Sequence, residues 1–398
     1  MSGKKIVVGI SGGIAVYKTA ELVRLLVKEG FYVRVAMTRN ATQFVSPLTF
    51  EVLSGNKVIH DMFKQERNME HILWAQDSDL IVIAPATANL IAKIAHGIAD
   101  DFLTTMVLAA TAGIIICPAM NTQMLMNPAV QDNLRILKER GLRIMEPGQG
   151  ELACGAVGPG RLPEPEEIFE EIQDALAPND LSGLRIMVTA GPTVEPIDPV
   201  RHITNRSSGK MGYAIAKMAK RRGASVILIS GPVELQSPRG IKTFMVKTAE
   251  EMREKVLENY SDCDVVIKAA AVSDYRPAET SPQKIKKDKD QMILRLVKNP
   301  DILAELGRKK GQQILVGFAA ETDELVANAR KKLEKKGLDM IVANDVSRKD
   351  AGFGTDTNVA RLIYRDGRIE DTGFLQKEQL ADLILERIRD MIHERRAD

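Results

Sequence analysis

Residues 5–30 read KIVVGISGGIAVYKTAELVRLLVKEG, and this stretch decides the fold of the first half of the chain. Residues 5–10 form a short, mostly apolar run, which predicts a buried strand. After a glycine turn, residues 13–30 place apolar side chains at helical spacing and end at Gly30, a residue typical of helix C-termini. A buried strand that leads directly into a helix is the repeating unit of a parallel sheet with helices on both faces.

The same alternation continues along the chain and then restarts. YVRVAM (32–37), DLIVIAP (79–85) and GIIICP (113–118) are further short apolar runs. Residues 176–183, LAPNDLSG, have the composition of a linker, and LRIMVTAGPT (184–193) then repeats the opening of a strand followed by glycine. We therefore predict an α/β protein of two Rossmann-like domains, at 1–178 and 179–398, each built on a mostly parallel sheet. The second should end with a hairpin turning at Asp366-Gly367 and a charged amphipathic helix from about 376.

Composition excludes several classes of protein. The 398 residues are 44% apolar and 27% charged, with a net charge of +2, which is ordinary for a soluble globular protein and gives no reason to expect nucleic acid or a membrane surface as a partner. Three cysteines without metal-ligand spacing argue against a disulfide framework, and the N-terminus lacks the pattern of a secretory signal. We expect a cytoplasmic protein in which Cys117 and Cys263 are core residues.

Several polar residues follow the predicted strands of the first half. GISGGIAVYK (9–18) suits a phosphate at a helix N-terminus, but it lacks the GxGxxG spacing of a nicotinamide dinucleotide site, and a turn without a ligand is an equal reading. APATANLIAKIAHGIADDFLT (84–104) offers small and polar residues at a strand end, and CPAMNTQMLMNP (117–128) places Asn121 at the next. GELACGAVGPGRLP (150–163) carries Cys154 in a glycine-rich stretch, an unusual place for a structural cysteine.

Together these motifs resemble the flavin-dependent cysteine decarboxylases, in particular the phosphopantothenoylcysteine decarboxylases. The resemblance implies a flavodoxin-like flavoprotein domain that binds FMN. It matches His71 to the active-site histidine, Asn121 to the substrate-binding asparagine and Cys154 to the proton-donating cysteine of a flexible clamp. His71 alone would read as a packed core histidine. The resemblance assigns the cofactor to Gly12, Gly13, Thr38, Ala86, Thr87, Asn89 and Asp100.

The second half contains a different set of motifs. VTAGPTVEPIDPVRHITNRSSGKMG (188–212), KAAAVSDYRP (268–277), QKIKKDKD (283–290) and VKNPDIL (297–303) are rich in glycine, hydroxyl and basic residues, without a P-loop consensus. The lysine run reads either as a solvated loop or as a cationic flap over phosphates. The set resembles the phosphopantothenate–cysteine ligases. That resemblance assigns Asn205 to the substrate carboxylate and acyl-nucleotide, and Lys284 to catalysis. It assigns the nucleotide to Lys268, Ala269, Ala270, Asp274, Lys284, Pro300, Asp301, Ile302, Leu303, Phe318, Lys332 and Lys336.

The pairing of the two halves resembles the bifunctional bacterial and archaeal enzymes of coenzyme A biosynthesis. It implies 4′-phosphopantothenate, L-cysteine and CTP as substrates, Mg²⁺ or another divalent cation, and a homo-oligomer with flavin sites built between subunits. The residues themselves do not identify the nucleotide base or the metal ligands. Two other interpretations are a flavin prenyltransferase-like protein and a catalytically inactive flavoprotein that acts as a regulatory subunit. The first would lack the Cys154 stretch and the ligase half, and the second would be expected to lose His71 or Cys154.

Overall fold

The computed structural model describes residues 3–63, 69–152, 155, 157–286, 291–321, 325–345 and 355–397. The chain forms two compact units, Met1–Ala177 and Pro178–Asp398. Cys154, which sequence analysis places at the centre of the decarboxylase chemistry, lies outside the described residues.

The first unit alternates strands and helices. Its elements are β1 (Lys5–Ile10), α1 (Val16–Lys28), β2 (Tyr32–Met37), α2 (Pro47–Ser54), α3 (Glu70–Gln76), β3 (Leu80–Ala86), α4 (Ala88–His96), α5 (Phe102–Leu108), β4 (Gly113–Pro118), α6 (Thr122–Met126), α7 (Pro128–Glu139), β5 (Arg143–Ile144), β6 (Gly148–Glu151), β7 (Val157–Arg161) and α8 (Pro165–Leu176). The predicted helix at 13–30 begins later, at Val16, because Gly13 to Ala15 form a turn in which the Val16 N–H donates to the Gly13 carbonyl.

The strands of this unit form a parallel sheet in the order β2-β1-β3-β4-β5, the flavodoxin-like order. Val7 and Ile81 pack into the core on one face, while Ile6 and Val8 pack into the core on the other. Burial on both faces explains why these strands are almost continuously apolar. The order reverses between β1 and β3, the place where open α/β sheets form a ligand crevice beyond their carboxyl ends.

The second unit is built on a larger sheet. Its elements are β8 (Arg185–Ala190), β9 (Val194–Pro196), β10 (His202–Thr204), α9 (Lys210–Arg221), β11 (Ser225–Ser230), β12 (Lys242–Met245), α10 (Ala249–Tyr260), β13 (Val265–Lys268), β14 (Tyr275–Pro277), β15 (Leu296–Lys298), α11 (Ile302–Arg308), β16 (Ile314–Glu321), α12 (Leu325–Lys335), β17 (Met340–Asp345), β18 (Thr357–Tyr364), β19 (Ile369–Gln376) and α13 (Lys377–Ala397).

The sheet of the second unit has the order β12-β11-β8-β13-β16-β17-β18-β19. Strands β12 to β17 are parallel along this order, and β18 and β19 add an antiparallel hairpin at the edge. That hairpin turns at Asp366-Gly367, where Gly367 has φ +92°, as the sequence predicts. The switch in strand order lies between β8 and β13, so a second crevice is expected beyond their carboxyl ends.

The two cysteines in regular surroundings are buried, as predicted. Cys117 lies on β4 and Cys263 directly before β13. Burial raises the pKa of Cys117 well above its ordinary range and that of Cys263 to about 11, so both remain neutral thiols at physiological pH.

Candidate active sites

In the first unit, a serine hydroxyl joins two of the loops at the carboxyl edge of the sheet. Ser11 Oγ donates to the Pro85 carbonyl at 2.7 Å and accepts from the Thr87 N–H at 2.9 Å. Because this hydroxyl is buried and uses both capacities, it fixes the glycine turn after β1 against the start of α4.

Gly12 allows a close approach of two backbones at the same edge. A Cβ on Gly12 would lie 2.6 Å from the Cβ of Asn40 and 2.8 Å from its carbonyl carbon. Asn40 follows Thr38, the first residue after β2, whose N–H donates to the Ile10 carbonyl at 2.9 Å. Glycine is therefore required at this position for packing.

A cavity of about 980 Å³ opens at this edge. Its lining includes Gly12, Thr38, Thr87, Asn89 and Asp100 from the predicted cofactor set, whereas Gly13 and Ala86 are not among the lining residues. Helix α1 begins after the glycine turn, and helix α4 begins at Ala88, which lines the cavity. Within the described residues, neither helix has a side-chain cap on its first N–H groups. Uncapped N–H groups and the helix dipole favour an anion such as a phosphate.

Sequence analysis did not assign Lys93, one of the basic residues that line this cavity, to the cofactor site. Lys93, on α4, lines the cavity and bonds both oxygens of Asp100, at 2.8 and 2.7 Å. The hydrogen bond from Lys93 holds the pKa of the Asp100 carboxyl below its ordinary value. The motif at 84–104 drew attention to Ala86 to Asn89 as small and polar residues at a strand end, and Lys93 stands in the same motif, about one helical turn after Asn89.

Asn121 lies apart from the cavity lining, on a segment held by the hairpin β6–β7. It caps α6, accepting from the Gln123 N–H at 2.8 Å. The hydroxyl of the next residue, Thr122, donates to the Pro159 carbonyl at 2.8 Å, and the Met120 N–H donates to the Gly160 carbonyl at 2.9 Å. The structure thus joins two motifs that sequence analysis assigned to one site, PAMNTQM and the glycine-rich stretch that carries Cys154.

His71 is on α3, half-buried, and is not among the residues lining the cavity. Within a single copy of the chain, the structure therefore does not bring His71, Asn121 and the cavity together. One residue of α6, Met124, does reach the cavity wall.

The second unit has a cavity of about 610 Å³ towards the carboxyl ends of β13 and β16. Apart from Lys284, it gathers the residues that the resemblance assigned to the ligase site: Asn205, Lys268, Ala269, Ala270, Asp274, Pro300, Asp301, Ile302, Leu303, Phe318, Lys332 and Lys336. Lys284 is exposed and is not among the lining residues.

Short connections place Asn205 and the start of α9 at this cavity. The Asn205 side chain donates to the Ala271 carbonyl at 2.9 Å. Helix α9 begins after Gly209, which has φ +77°, and it packs directly on β8 because Gly212 has no side chain: a Cβ there would lie 2.5 Å from Ala190 Cβ. The uncapped start of α9 therefore faces the same space as Asn205.

Three charged residues set the electrostatics of this cavity. Burial and the nearby charge of Lys336 lower the pKa of Lys268 to about 8. Lys336 pairs with Asp301 at 3.0 Å. Burial alone would raise the pKa of the Asp301 carboxyl. The hydrogen bonds from the Ala304 N–H and from Lys336 together lower it by more than burial raises it, so the net shift is downward. The cavity is thus prepared for an anion that can neutralise Lys268.

Sequence analysis did not assign several other polar residues of the cavity to the ligase site. Lys210 pairs with Asp356 at 2.7 Å, and the buried Lys377 donates to the Thr355 carbonyl. Ser273 Oγ is buried with no hydrogen-bond partner among the described residues. Lys210 stands in a quoted glycine-rich motif, so its position was a usable signal. Lys377 opens the final helix, and nothing in the sequence connects it with this site.

Two protein-family models match the chain. Residues 1–177 match the family described as Flavoprotein, and residues 181–392 match the one described as the DNA/pantothenate metabolism flavoprotein C-terminal domain. No helix within the described ranges is long and apolar enough to cross a membrane.

Curated relatives match nearly the whole chain. The coenzyme A biosynthesis bifunctional protein CoaBC of Bacillus subtilis (strain 168) is 49% identical over 394 residues, covering 98% of this chain and 97% of that protein. The protein of the same name from Escherichia coli (strain K12) is 47% identical over 395 residues, with coverage of 98% and 97%. Among solved structures, the C-terminal domain of a CoaBC protein is 44% identical and covers 54% of this chain and 99% of that one, with a TM-score of 0.48.

Proposed function

This chain belongs to the family of bifunctional coenzyme A biosynthesis enzymes, with a flavoprotein decarboxylase domain and a ligase domain, and from that premise we propose its two reactions and the residues that perform them. Residues 179–398 ligate L-cysteine to 4′-phosphopantothenate, with CTP as co-substrate. Residues 1–178 then decarboxylate 4′-phosphopantothenoylcysteine to 4′-phosphopantetheine with FMN.

The observation that supports the ligase reaction best is the cavity of the second unit, which combines buried positive charge with an amide at its edge. A carboxylate oxygen attacks the α-phosphorus of CTP, and pyrophosphate leaves. The cysteine amine then attacks the acyl carbon and expels CMP. Negative charge develops on the leaving phosphates, which Lys268, Lys332 and Lys336 can stabilise, and Asn205 is placed to bind the carboxylate and then the acyl-nucleotide.

We propose that Mg²⁺ enters with the nucleotide. Among the described residues, no cluster of three or more histidine, cysteine or acidic side chains could hold a metal by itself. The cavity does offer the carboxylate of Asp274. One carboxylate together with substrate phosphates is a usual environment for Mg²⁺, so this chemistry fits.

The cavity of the first unit fits FMN. Its small residues leave room for a planar ring, the uncapped starts of α1 and α4 suit the phosphate, and Gly12 permits the close approach of Asn40 to the turn after β1. When bound, FMN supplies the reversible two-electron oxidation that makes loss of CO₂ from the cysteine moiety possible. Asn121 binds the substrate carboxylate, His71 accepts a proton from the substrate, and Cys154 donates the final proton.

We also propose a homo-oligomer in which flavin sites lie between subunits. Phe44, Leu48 and Val52 form an apolar stripe along α2 and the turn before it, with 48%, 63% and 75% of each residue exposed. In the second unit, β14 and β15 and their connection expose Tyr275 and Ile293. Exposed apolar surfaces of this kind mark interfaces. A second copy at the first surface would account for His71 and the cavity being separate within one chain.

The test is incubation of the purified protein with 4′-phosphopantothenate, L-cysteine and either CTP or ATP, with pyrophosphate and CO₂ measured separately. We expect a yellow protein that releases both, with CTP preferred. Asn205→Asp should reduce pyrophosphate release and leave decarboxylation of supplied 4′-phosphopantothenoylcysteine intact. A colourless, folded protein that still releases CO₂ would contradict the flavin assignment, and light scattering tests the oligomer.

A further inference from the structure

The turn between β9 and β10 contains a buried carboxylate that the proposed reaction does not use. The side chain of Asp198 is completely buried. One carboxylate oxygen accepts from the N–H groups of Val200 and Arg201, both at 2.8 Å, which closes the turn. The other oxygen accepts from the Ile285 N–H at 3.2 Å and lies 3.2 Å from Arg201 Nε. Asp198 therefore joins its own turn to a segment far along the chain.

Ile285 is held through both of its backbone groups. Its N–H donates to Asp198, and its carbonyl accepts from Arg201 Nη2 at 2.5 Å. Just before it, the Ser281 N–H donates to the Ile197 carbonyl at 3.0 Å. The residue immediately preceding Ile285 is Lys284, which has an exposed side chain. The backbone next to this lysine is thus fixed while its side chain stays free to reach a ligand.

The same hairpin also carries Asn205. Strand β10 ends at Thr204, whose hydroxyl donates to the Thr193 carbonyl at 2.9 Å, and Asn205 then donates to the Ala271 carbonyl at the cavity. One short hairpin, residues 194–204, therefore sets the position of Asn205 at one end and of the backbone beside Lys284 at its turn.

We propose that Asp198 and Arg201 are positioning residues of the ligase reaction, which hold Lys284 at a fixed place relative to Asn205. The inference rests on the proposed ligase function and on the assignment of Lys284 to it. Burial alone would raise the pKa of the Asp198 carboxyl, but the three N–H groups and the charge of Arg201 lower it below its ordinary value, so the carboxylate is ionised at neutral pH. A pre-positioned charge loses less freedom when the transition state forms, which is the usual source of rate in such an arrangement.

Asp198→Asn is the informative change because it affects the two carboxylate oxygens differently. The amide oxygen can still accept from Val200 and Arg201, but the amide nitrogen then meets the Ile285 N–H, donor against donor. The matched control is Asp264→Asn, which alters a carboxylate that accepts from the Arg185 N–H at 2.7 Å, at the opposite edge of the same sheet. Both variants are made in the full chain.

We expect Asp198→Asn to lower kcat for pyrophosphate release between about 10-fold and 100-fold, with the KM for 4′-phosphopantothenate changed less than about threefold. Asp264→Asn should match the wild type. Decarboxylation of supplied 4′-phosphopantothenoylcysteine should be unchanged in both. Added to a Lys284→Ala background, Asp198→Asn should have little further effect, because both changes remove the same contribution. Full activity of the Asp198→Asn variant or of the Lys284→Ala variant, or losses that multiply when the two are combined, would overturn the inference.

Hydrogen exchange of peptides covering residues 280–286 tests, without relying on turnover, whether Asp198 and Arg201 hold the Ile285 backbone; we call this contact the clamp. We expect these amides to exchange faster in Asp198→Asn than in the wild type or the Asp264→Asn control. Equal exchange in all three proteins would overturn the inference even if the ligase reaction is confirmed. A wild-type protein that releases no pyrophosphate would instead refute the proposed function, with the exchange result still deciding whether the clamp exists.

Discussion

Removing the charge of Lys268 should stabilise the second unit while weakening nucleotide binding. This lysine ends β13 and is nearly inaccessible to solvent, and burial, with the charge of Lys336, lowers its pKa from 10.5 to about 8. At neutral pH the Lys268 amine is therefore protonated and charged in surroundings that destabilise the charged form. The interval from 10.5 to about 8, at about 1.4 kcal/mol per pH unit, corresponds to about 3 kcal/mol of lost stability in the wild type.

The sign of the pH dependence follows from the lowered pKa. Below about pH 8 both folded and unfolded states are protonated, so the full cost is present. Between about 8 and 10.5 the unfolded state binds more protons than the folded state, so the stability of the wild type rises with pH and the cost disappears. Lys268→Met should therefore be more stable by up to about 3 kcal/mol at pH 7, and its advantage should vanish near pH 10.5.

The assay is urea unfolding followed by hydrogen exchange of residues 264–270, which reports on the second unit within the two-unit chain. The matched control is Lys255→Met, which changes a partly exposed lysine on α10 and should alter stability by less than ~1 kcal/mol. CTP binding by calorimetry should weaken at least tenfold in Lys268→Met, because a charge-assisted bond to phosphate is worth about 1.5–3 kcal/mol. A destabilised Lys268→Met protein, or one with unchanged CTP affinity, would refute this account of the cavity.

Three further predictions concern the first unit. Gly12→Ala should cost ~1–3 kcal/mol and lower flavin affinity, measured by fluorescence titration, because the new Cβ would lie 2.6 Å from Asn40 Cβ; unchanged affinity would contradict the packing argument. Gly160→Ala should cost ~3 kcal/mol or more in thermal unfolding, because its Cβ would lie 2.2 Å from the Met120 carbonyl oxygen at φ +139°. Cys154→Ser should leave pyrophosphate release intact and stop formation of 4′-phosphopantetheine in a CO₂ and product assay; normal product formation would show that Cys154 is not the proton donor.

The fold was predictable because parallel strands buried on both faces leave a strong pattern. The runs KIVVGI and GIIICP are apolar apart from Lys5, and they form β1 and β4 with the bounds that the sequence predicts. Helix starts were harder to place. The apolar spacing of residues 13–30 extends through a turn in which Gly13 accepts a backbone hydrogen bond, and sequence periodicity does not distinguish that turn from the first helical turn.

Site residues were predictable where they follow a strand directly. Lys268 ends β13, and Ala269 and Ala270 follow it directly, at the edge of the sheet where the carboxyl ends of the parallel strands meet. Position relative to a parallel strand does not predict Lys377 as a site residue, because Lys377 follows the antiparallel hairpin β18–β19, which comes after the parallel strands in the chain. Its arrival at the cavity depends on how α13 packs on α9, which no local pattern encodes.

Asp198 is another residue whose proposed role no local sequence pattern predicts, because its sequence context already accounts for it as a turn residue. An aspartate followed by proline in a short loop is a common turn former, and two of its hydrogen bonds do close the turn. If closing the turn were its only role, a partly exposed carboxylate would suffice, as at most turns of this kind. A completely buried carboxylate needs partners on both oxygens, and the second oxygen has two: Arg201 Nε and the Ile285 N–H, which is the backbone beside Lys284. The contact with Ile285 is the part of this arrangement that the turn itself does not supply, so we expect its loss to affect ligation more than the turn.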